Sequence, residues 1–242
     1  MTLFRYIRAA IAFVAIPFLT LVVSSISLLV IYCFRLSQKK AQIGPQLWGR
    51  MICRLSGVKV KIEGLENISR DETYIFVANH VSQYDIFTFQ GYFKHDFRWI
   101  AKKELFRIPV FGTALGYLGI IPIDRSKGRK AIKSLNRAAE RIAAGASVLI
   151  FPEGTRSPDG KMQDFKYGAI LLAIKSGVPV VPIGFNGTYE VLPKGKLFPE
   201  SGEAVIRVGK PISTKHYKPQ DKKMLAENLQ NEVSLLLNIP TE

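Results

Sequence analysis

RKAIKSLNRAAERIAAGASVLIF, residues 129–151, carries two periodicities in one run. Ile132, Leu135 and Ile142 fall on one face of a helix spanning residues 129–144, with charged residues between them and Gly145 as its stop. Ser147 to Phe151 is then a short apolar stretch, the pattern of a buried strand. A helix that feeds straight into a buried strand is the repeating unit of an α/β fold. The same alternation continues on both sides. Upstream, Val58, Val60 and Ile62 alternate with Lys59, Lys61 and Glu63 as in a half-buried strand. Tyr74 to Ala78, Phe97 to Ala101 and Ile120 to Ile123 read as further strands, the last confined by Pro122 to an edge or a strand end. Residues 104–118, broken by Pro109 and Gly112, read as helical or irregular. Downstream come a helix over 167–176 closed by Gly177, strands at Val178–Ile183 and Ala204–Val208, and a last helix over 219–237. The expected fold is α/β, a mixed and largely parallel central sheet flanked by helices.

The N-terminal segment has a different character. No charged residue occurs from Ala9 to Phe34, and the polar exceptions are Thr20, Ser24, Ser25, Ser27 and Tyr32. About 20 such residues cross a bilayer core. A core helix is rarely apolar on every face, and a signal peptide has a shorter apolar region and a small-residue cleavage site. The segment therefore reads as membrane-embedded, with Pro17 either kinking one spanning helix or turning a hairpin within one leaflet. Residues 36–55 follow with Leu47, Met51, Ile52 and Leu55 at helical spacing beside Trp48, punctuated by Lys39, Lys40, Arg50 and Arg54. That pattern suits a helix in the headgroup region, or equally a surface helix packed on the next domain, with Gly44-Pro45 as its expected break. Two units are expected: an anchoring segment, residues 1–56, and a catalytic domain, residues 57–242. Arg5 and Arg8 precede the apolar run and Arg35, Lys39, Lys40, Arg50 and Arg54 follow it, a bias that favours a cytoplasmic C-terminal domain.

An apolar content of 48% supports a sizeable core, and 34 Lys and Arg against 19 Asp and Glu give a net charge of +15. Such a charge asks for an acidic partner, and the apolar leader points to an anionic membrane surface. The basic residues are scattered and no recognition motif accompanies them, so nucleic acid is not an expected partner. Cys33 and Cys53 form neither a disulfide framework nor a metal-ligand pattern, and no metal is expected.

Three runs at strand ends carry chemistry. Asn79-His80-Val81-Ser82-Gln83-Tyr84-Asp85 places a histidine in a turn and an aspartate in the first turn of a helix expected to begin at Ser82. A carboxylate on one ring nitrogen fixes the tautomer and leaves the other nitrogen basic. Ser82-x-x-Asp85 also matches a helix-capping arrangement, in which Asp85 only ends the helix. Ile121-Pro122-Ile123-Asp124-Arg125-Ser126 and Phe151-Pro152-Glu153-Gly154-Thr155-Arg156-Ser157 each deliver an arginine from a strand end. Two arginines and a glycine turn are what a phosphate monoester needs, and Lys102 and Lys103 add to the field. The plainer reading is a pair of surface turns whose arginines serve carboxylates.

NHVSQYD, IPIDRS, FPEGTRS and VPVVPI, in that order within residues 74–184, resemble the four ordered motifs of the 1-acylglycerol-3-phosphate acyltransferase family, bacterial type. The resemblance implies His80 and Asp85 as catalytic residues, with Asn79 in the same motif. It implies Arg125, with Gly119 and Asp124, as a contact for the acceptor phosphate. Glu153, Gly154, Thr155 and Arg156 become further acceptor-binding residues, and Pro182 falls in the motif tied to acyl binding or structure. The sequence departs from the family at Pro122, where an aromatic or apolar residue is common. The implied reaction moves an acyl chain from acyl-CoA or acyl-carrier protein to the sn-2 hydroxyl of lysophosphatidic acid, a membrane lipid, giving phosphatidic acid without a cofactor. A backbone N–H at the start of the helix after His80 is the expected oxyanion donor. The implied location is the cytoplasmic face of the bacterial inner membrane. Two other readings stand beside it: an acyltransferase for another lysolipid, of lyso-ornithine or lysophosphatidylcholine type, and a non-catalytic module that binds anionic lipid.

Overall fold

The computed structural model describes residues 2–124 and 128–237. In chain order the elements are α1 (Thr2–Phe34), α2 (Gln38–Ala41), α3 (Ile43–Leu55), β1 (Val58–Glu63), β2 (Ile75–Ala78), α4 (Tyr84–Tyr92), β3 (Arg98–Lys102) and α5 (Phe111–Tyr117). They continue with β4 (Ile121–Ile123), α6 (Arg129–Ala143), β5 (Val148–Ile150), α7 (Tyr167–Ser176), β6 (Val180–Asn186), α8 (Thr188–Val191), β7 (Gly202–Val208) and α9 (Lys222–Leu237). The strands form one sheet in the order β1-β7-β6-β2-β5-β3-β4. Neighbours from β6 to β4 run parallel, β7 is antiparallel to β6, and β1 is parallel to β7. The sheet is mixed and mostly parallel, with helices on both faces.

Side-chain alternation divides the core. Ile75, Val77, Val148, Ile150 and Val180 point to the face covered by α6, α7 and α9. Tyr74, Phe76, Ala78, Leu149 and Val181 point to the other, where Phe89 of α4 and Phe93 just past its end cover them. β4 sits at the sheet edge, which is where Pro122 is tolerated because it donates nothing to a ladder. Pro109 falls between a 3-10 turn over Lys103–Arg107 and the short α5, whereas Gly112, expected as a second break, lies in the first turn of α5. β6 runs on to Asn186, past the expected end at Ile183.

α1 is one helix of 33 residues with Pro17 inside it, so Pro17 turns no hairpin. Only 11% of its most apolar window is buried in the protein, unlike a core helix, and by length and composition it can cross a membrane. The break before α3 lies at Gln42 rather than at Gly44-Pro45. Pro45 falls in the first turn of α3, where its missing N–H would have had no helical partner anyway. α3 is a helix packed on the next domain, the second of the two expectations for residues 36–55. Trp48, Ile52 and Cys53 pack against Tyr84 and Phe87 of α4, while Ile43, Leu47, Met51 and Leu55 form an exposed apolar stripe. Gly49 and Gly91 let α3 and α4 touch backbone to backbone: a Cβ on Gly49 would lie 2.6 Å from the Phe87 carbonyl oxygen.

Candidate active site

β2 ends at Ala78, and Asn79 extends its ladder with a side chain. The Asn79 amide donates to the Phe185 carbonyl at 3.1 Å and its oxygen accepts from the Phe185 N–H at 2.8 Å. This false rung on β6 fixes the chain where it leaves the sheet and turns into His80. The imidazole lies flat on Phe151, with ring centroids 3.8 Å apart. Its Nδ1 meets the Asp85 carboxylate Oδ2 at 2.8 Å. With Nδ1–H donating to Asp85, the lone pair of Nε2 is left for chemistry.

Asp85 also performs the capping role. Its Oδ2 accepts the backbone N–H groups of Val81 and Ser82, each at 2.9 Å, and its Oδ1 accepts from Thr188 Oγ1 at 2.6 Å. The two readings of Ser82-x-x-Asp85 are therefore one arrangement: the carboxylate that organises the turn also holds the imidazole. α4 begins at Tyr84 instead of Ser82, whose hydroxyl accepts from the Tyr84 N–H. The amides of Val81 and Ser82 are spent on Asp85, which removes them as oxyanion donors.

β5 delivers the second run. Glu153 is buried and turned inward. Its Oε1 accepts from the His80 N–H at 2.6 Å, and its Oε2 accepts from the Gln163 N–H at 3.0 Å and from the Gln163 amide at 3.3 Å. Burial pushes its pKa above the ordinary carboxylate range, opposed by the N–H groups of Gln163 and His80. Ser157 N–H in turn donates to the His80 carbonyl at 2.7 Å, so the two loops are stitched together on both sides of the histidine. Gly154 takes φ +75°, a conformation that costs glycine little. The Arg156 guanidinium forms no ion pair with any described residue.

His80, Gly154, Thr155, Arg156 and Lys102 line one cavity of about 760 Å³. Its far walls are apolar and come from distant parts of the chain: Ile16 and Val23 of α1, Trp48 of α3, and Ala114 and Leu115 of α5. Thr20, Ser24 and Ser27, three of the five polar exceptions in the apolar leader, also face it, and Thr20 accepts a hydrogen bond from the Trp48 indole at 3.0 Å.

Five of the expected site residues thus meet at the cavity with Asp85 directly behind His80. Glu153 supports the loop from beneath. Lys103, expected to add to the field at the acceptor phosphate, is held by Asp124 at 2.6 Å and does not line the cavity. Arg125 lies outside the described residues. Sequence reading missed Thr188, Gln163 and the Phe151 stack. Thr188 follows Gly187 at the end of β6, and a Gly-Thr pair at a strand end was its only signal.

Comparison with known proteins gives concordant matches. The family model described as Acyltransferase matches residues 59–186. The chain is 37% identical over 184 residues to the chloroplastic 1-acyl-sn-glycerol-3-phosphate acyltransferase BAT2 of Brassica napus, covering 75% of this chain and 52% of that protein. It is 37% identical over 151 residues to the 1-acyl-sn-glycerol-3-phosphate acyltransferase of Pseudomonas aeruginosa, covering 62% of this chain and 55% of that protein. It therefore spans about half the length of the curated relatives it matches. The crystal structure of the 1-acyl-sn-glycerophosphate (LPA) acyltransferase PlsC from Thermotoga maritima superposes with a TM-score of 0.80 at 30% identity, covering 98% of this chain and 100% of that one.

Proposed function

The chain belongs to the 1-acyl-sn-glycerol-3-phosphate acyltransferase family, and from that premise we propose that it acylates the sn-2 hydroxyl of lysophosphatidic acid, using acyl-CoA or acyl-carrier protein as donor. The observation that carries the reading is one cavity whose polar end holds His80, backed by Asp85, with Arg156, and whose remaining walls are mostly apolar. Arg156, with Arg125 and Lys102, holds the acceptor phosphate. His80 Nε2 takes the proton of the sn-2 hydroxyl as its oxygen attacks the thioester carbonyl. Asp85 stabilises the imidazolium, and the tetrahedral intermediate collapses with loss of thiolate, which takes the proton back from His80. The thioester is already activated, so the scheme needs no protein nucleophile, metal or cofactor. The apolar walls receive an acyl chain. α1 and the exposed stripe of α3 hold the enzyme at the membrane, with catalysis on the cytoplasmic face of the bacterial inner membrane and basic groups toward its anionic headgroups.

The test is a panel of lysolipids with purified protein in detergent, each offered with acyl-CoA and with acyl-carrier protein. Lysophosphatidic acid should be the preferred acceptor. His80→Ala should fold as the parent and lose turnover the more severely because the base itself is gone, while Asp85→Ala should lose turnover with a lowered Tm, since it strips the Val81, Ser82 and Thr188 donors of their acceptor. Near-normal turnover by folded His80→Ala would sink the mechanism. Preference for a zwitterionic or ornithine-type lysolipid would move the acceptor assignment to that class.

A further inference from the structure

Between α8 and β7 the chain makes a short excursion, Pro193-Lys194-Gly195-Lys196-Leu197-Phe198-Pro199, whose residues 194–198 are all exposed. It is a built loop. The Glu200 N–H donates to the Val191 carbonyl at 2.8 Å and closes its base. The Lys196 N–H donates to the Pro193 carbonyl, with Gly195 at φ +90° forming the tip. Leu197 and Phe198 are 61% and 54% exposed, unusual for two adjacent large apolar residues at a loop end. Phe198 is not isolated: its ring lies 5.5 Å from Phe13 of α1, centroid to centroid. Val14 and Phe18, near Phe13 on α1, are 67% and 64% exposed.

We propose that residues 194–198 form a second membrane contact, a finger that enters the bilayer interface beside α1 and sets the acceptor loop at headgroup height. The occupant of this surface is lipid, because its apolar pair Leu197-Phe198 continues the exposed face of α1 through the Phe198–Phe13 contact, and Lys194 and Lys196 beside that pair supply positive charge for anionic headgroups. The inference rests on the membrane placement of α1 given above. The finger is also tied to the site. Lys194 Nζ donates to the Arg156 carbonyl at 2.8 Å and reaches Thr155 Oγ1 at 3.4 Å. Ser82, two residues from His80, donates through its hydroxyl to the Leu192 carbonyl at 2.8 Å and forms a β-bridge with Pro193. A finger seated in lipid therefore fixes the loop bearing Arg156 and the turn bearing His80 relative to the membrane.

Two measurements test this. First, Phe198→Cys in a Cys33→Ser background is nitroxide-labelled and placed in phosphatidylcholine–phosphatidylglycerol vesicles. The label should favour oxygen over a nickel chelate as collision partner, as a label at Val14→Cys does and a label at Lys161→Cys does not. Nickel access matching that at position 161 would overturn the proposal. This readout needs no acyl transfer and so stands apart from the proposed activity. Second, Leu197→Asp/Phe198→Asp should raise the apparent KM for vesicle-borne lysophosphatidic acid by about tenfold while turnover of a dissolved short-chain acceptor stays within about twofold. Equal loss on both acceptors, or no change on either, would overturn it.

Discussion

The Asp85 carboxylate holds four hydrogen-bonding groups: the His80 ring, the N–H groups of Val81 and Ser82, and the Thr188 hydroxyl. Thr188 holds the oxygen that His80 does not use. A hydrogen bond to a charged group contributes about 1.5–3 kcal/mol, so Thr188→Val should lower kcat by roughly ten- to a hundredfold. The acceptor KM should stay unchanged, because Thr188 orients the carboxylate and touches no substrate, and Thr188→Ser should restore most of the rate. A change confined to KM would show that Thr188 acts elsewhere. Glu153 has a pH signature as well. Its raised pKa means that the folded protein holds this proton more tightly than the unfolded chain does. The associated stability is full at low pH and is lost as pH rises through the raised value. Glu153→Gln cannot titrate and loses an acceptor for one of the N–H groups of Gln163 or His80, a constant penalty. The Tm of the variant minus that of the parent should therefore climb as pH rises from about 4 through the raised value. A flat difference would mean that Glu153 does not titrate differently in the two states. Of these residues the sequence displayed His80, Asp85 and Glu153, because local spacing brings a turn and a helix start together. Thr188 is 103 residues from Asp85, and no local pattern reports such a contact.

Elements were legible where their periodicity is set by one buried face. α7 and the strand cores appear at or within a few residues of their expected ends, since apolar spacing alone decides them. α3 was harder, because it carries two apolar faces. One packs on α4 and the other is exposed, and spacing cannot say which is which. The contact of α3 with α4 turns on Gly49 and Gly91. Gly49→Leu cannot be accommodated at 2.6 Å from the Phe87 carbonyl oxygen without parting the two helices. Overpacking of this kind costs about 1–3 kcal/mol, and a lowered Tm with reduced activity is the expected result. α5 offers a gentler probe. Ala114 is buried and lines the cavity, so Ala114→Phe should fill part of the space assigned to the acyl chain. In a competition among donors of different chain length, the variant should shift toward shorter chains. An unchanged product distribution would place the acyl chain outside this cavity.

At the scale of the molecule, the division expected from sequence, an anchoring segment over residues 1–56 and a catalytic domain over residues 57–242, cuts through a buried cluster that charge and hydropathy do not reveal. Ile52 and Cys53 are fully buried in a cluster with Val58, Tyr84, Phe87, Val191 and Ala204, which straddles residue 56. Ile16, Val23 and Trp48 wall the cavity that His80 faces. An anchor that served only for attachment would leave a soluble and competent enzyme when removed. Here its removal uncovers α4 and opens the cavity. Each large apolar side chain fully withdrawn from water contributes about 1.5–3 kcal/mol. Domain stabilities are only about 5–15 kcal/mol, so exposing Tyr84, Phe87, Val58 and Val191 together consumes much of that margin. A chain beginning at Gly57 should therefore show a sharply lowered Tm and no transfer even to a short-chain acceptor in free solution. Fusing α1 and α3 back through their own sequence should restore both, whereas an unrelated spanning helix should restore membrane binding alone. If the chain from Gly57 acylates a dissolved acceptor at the parent rate, the N-terminal helices are tethers and the cavity walls they supply are dispensable. If the unrelated helix restores full activity on bilayer-borne lysolipid, attachment is all that α1 and α3 provide.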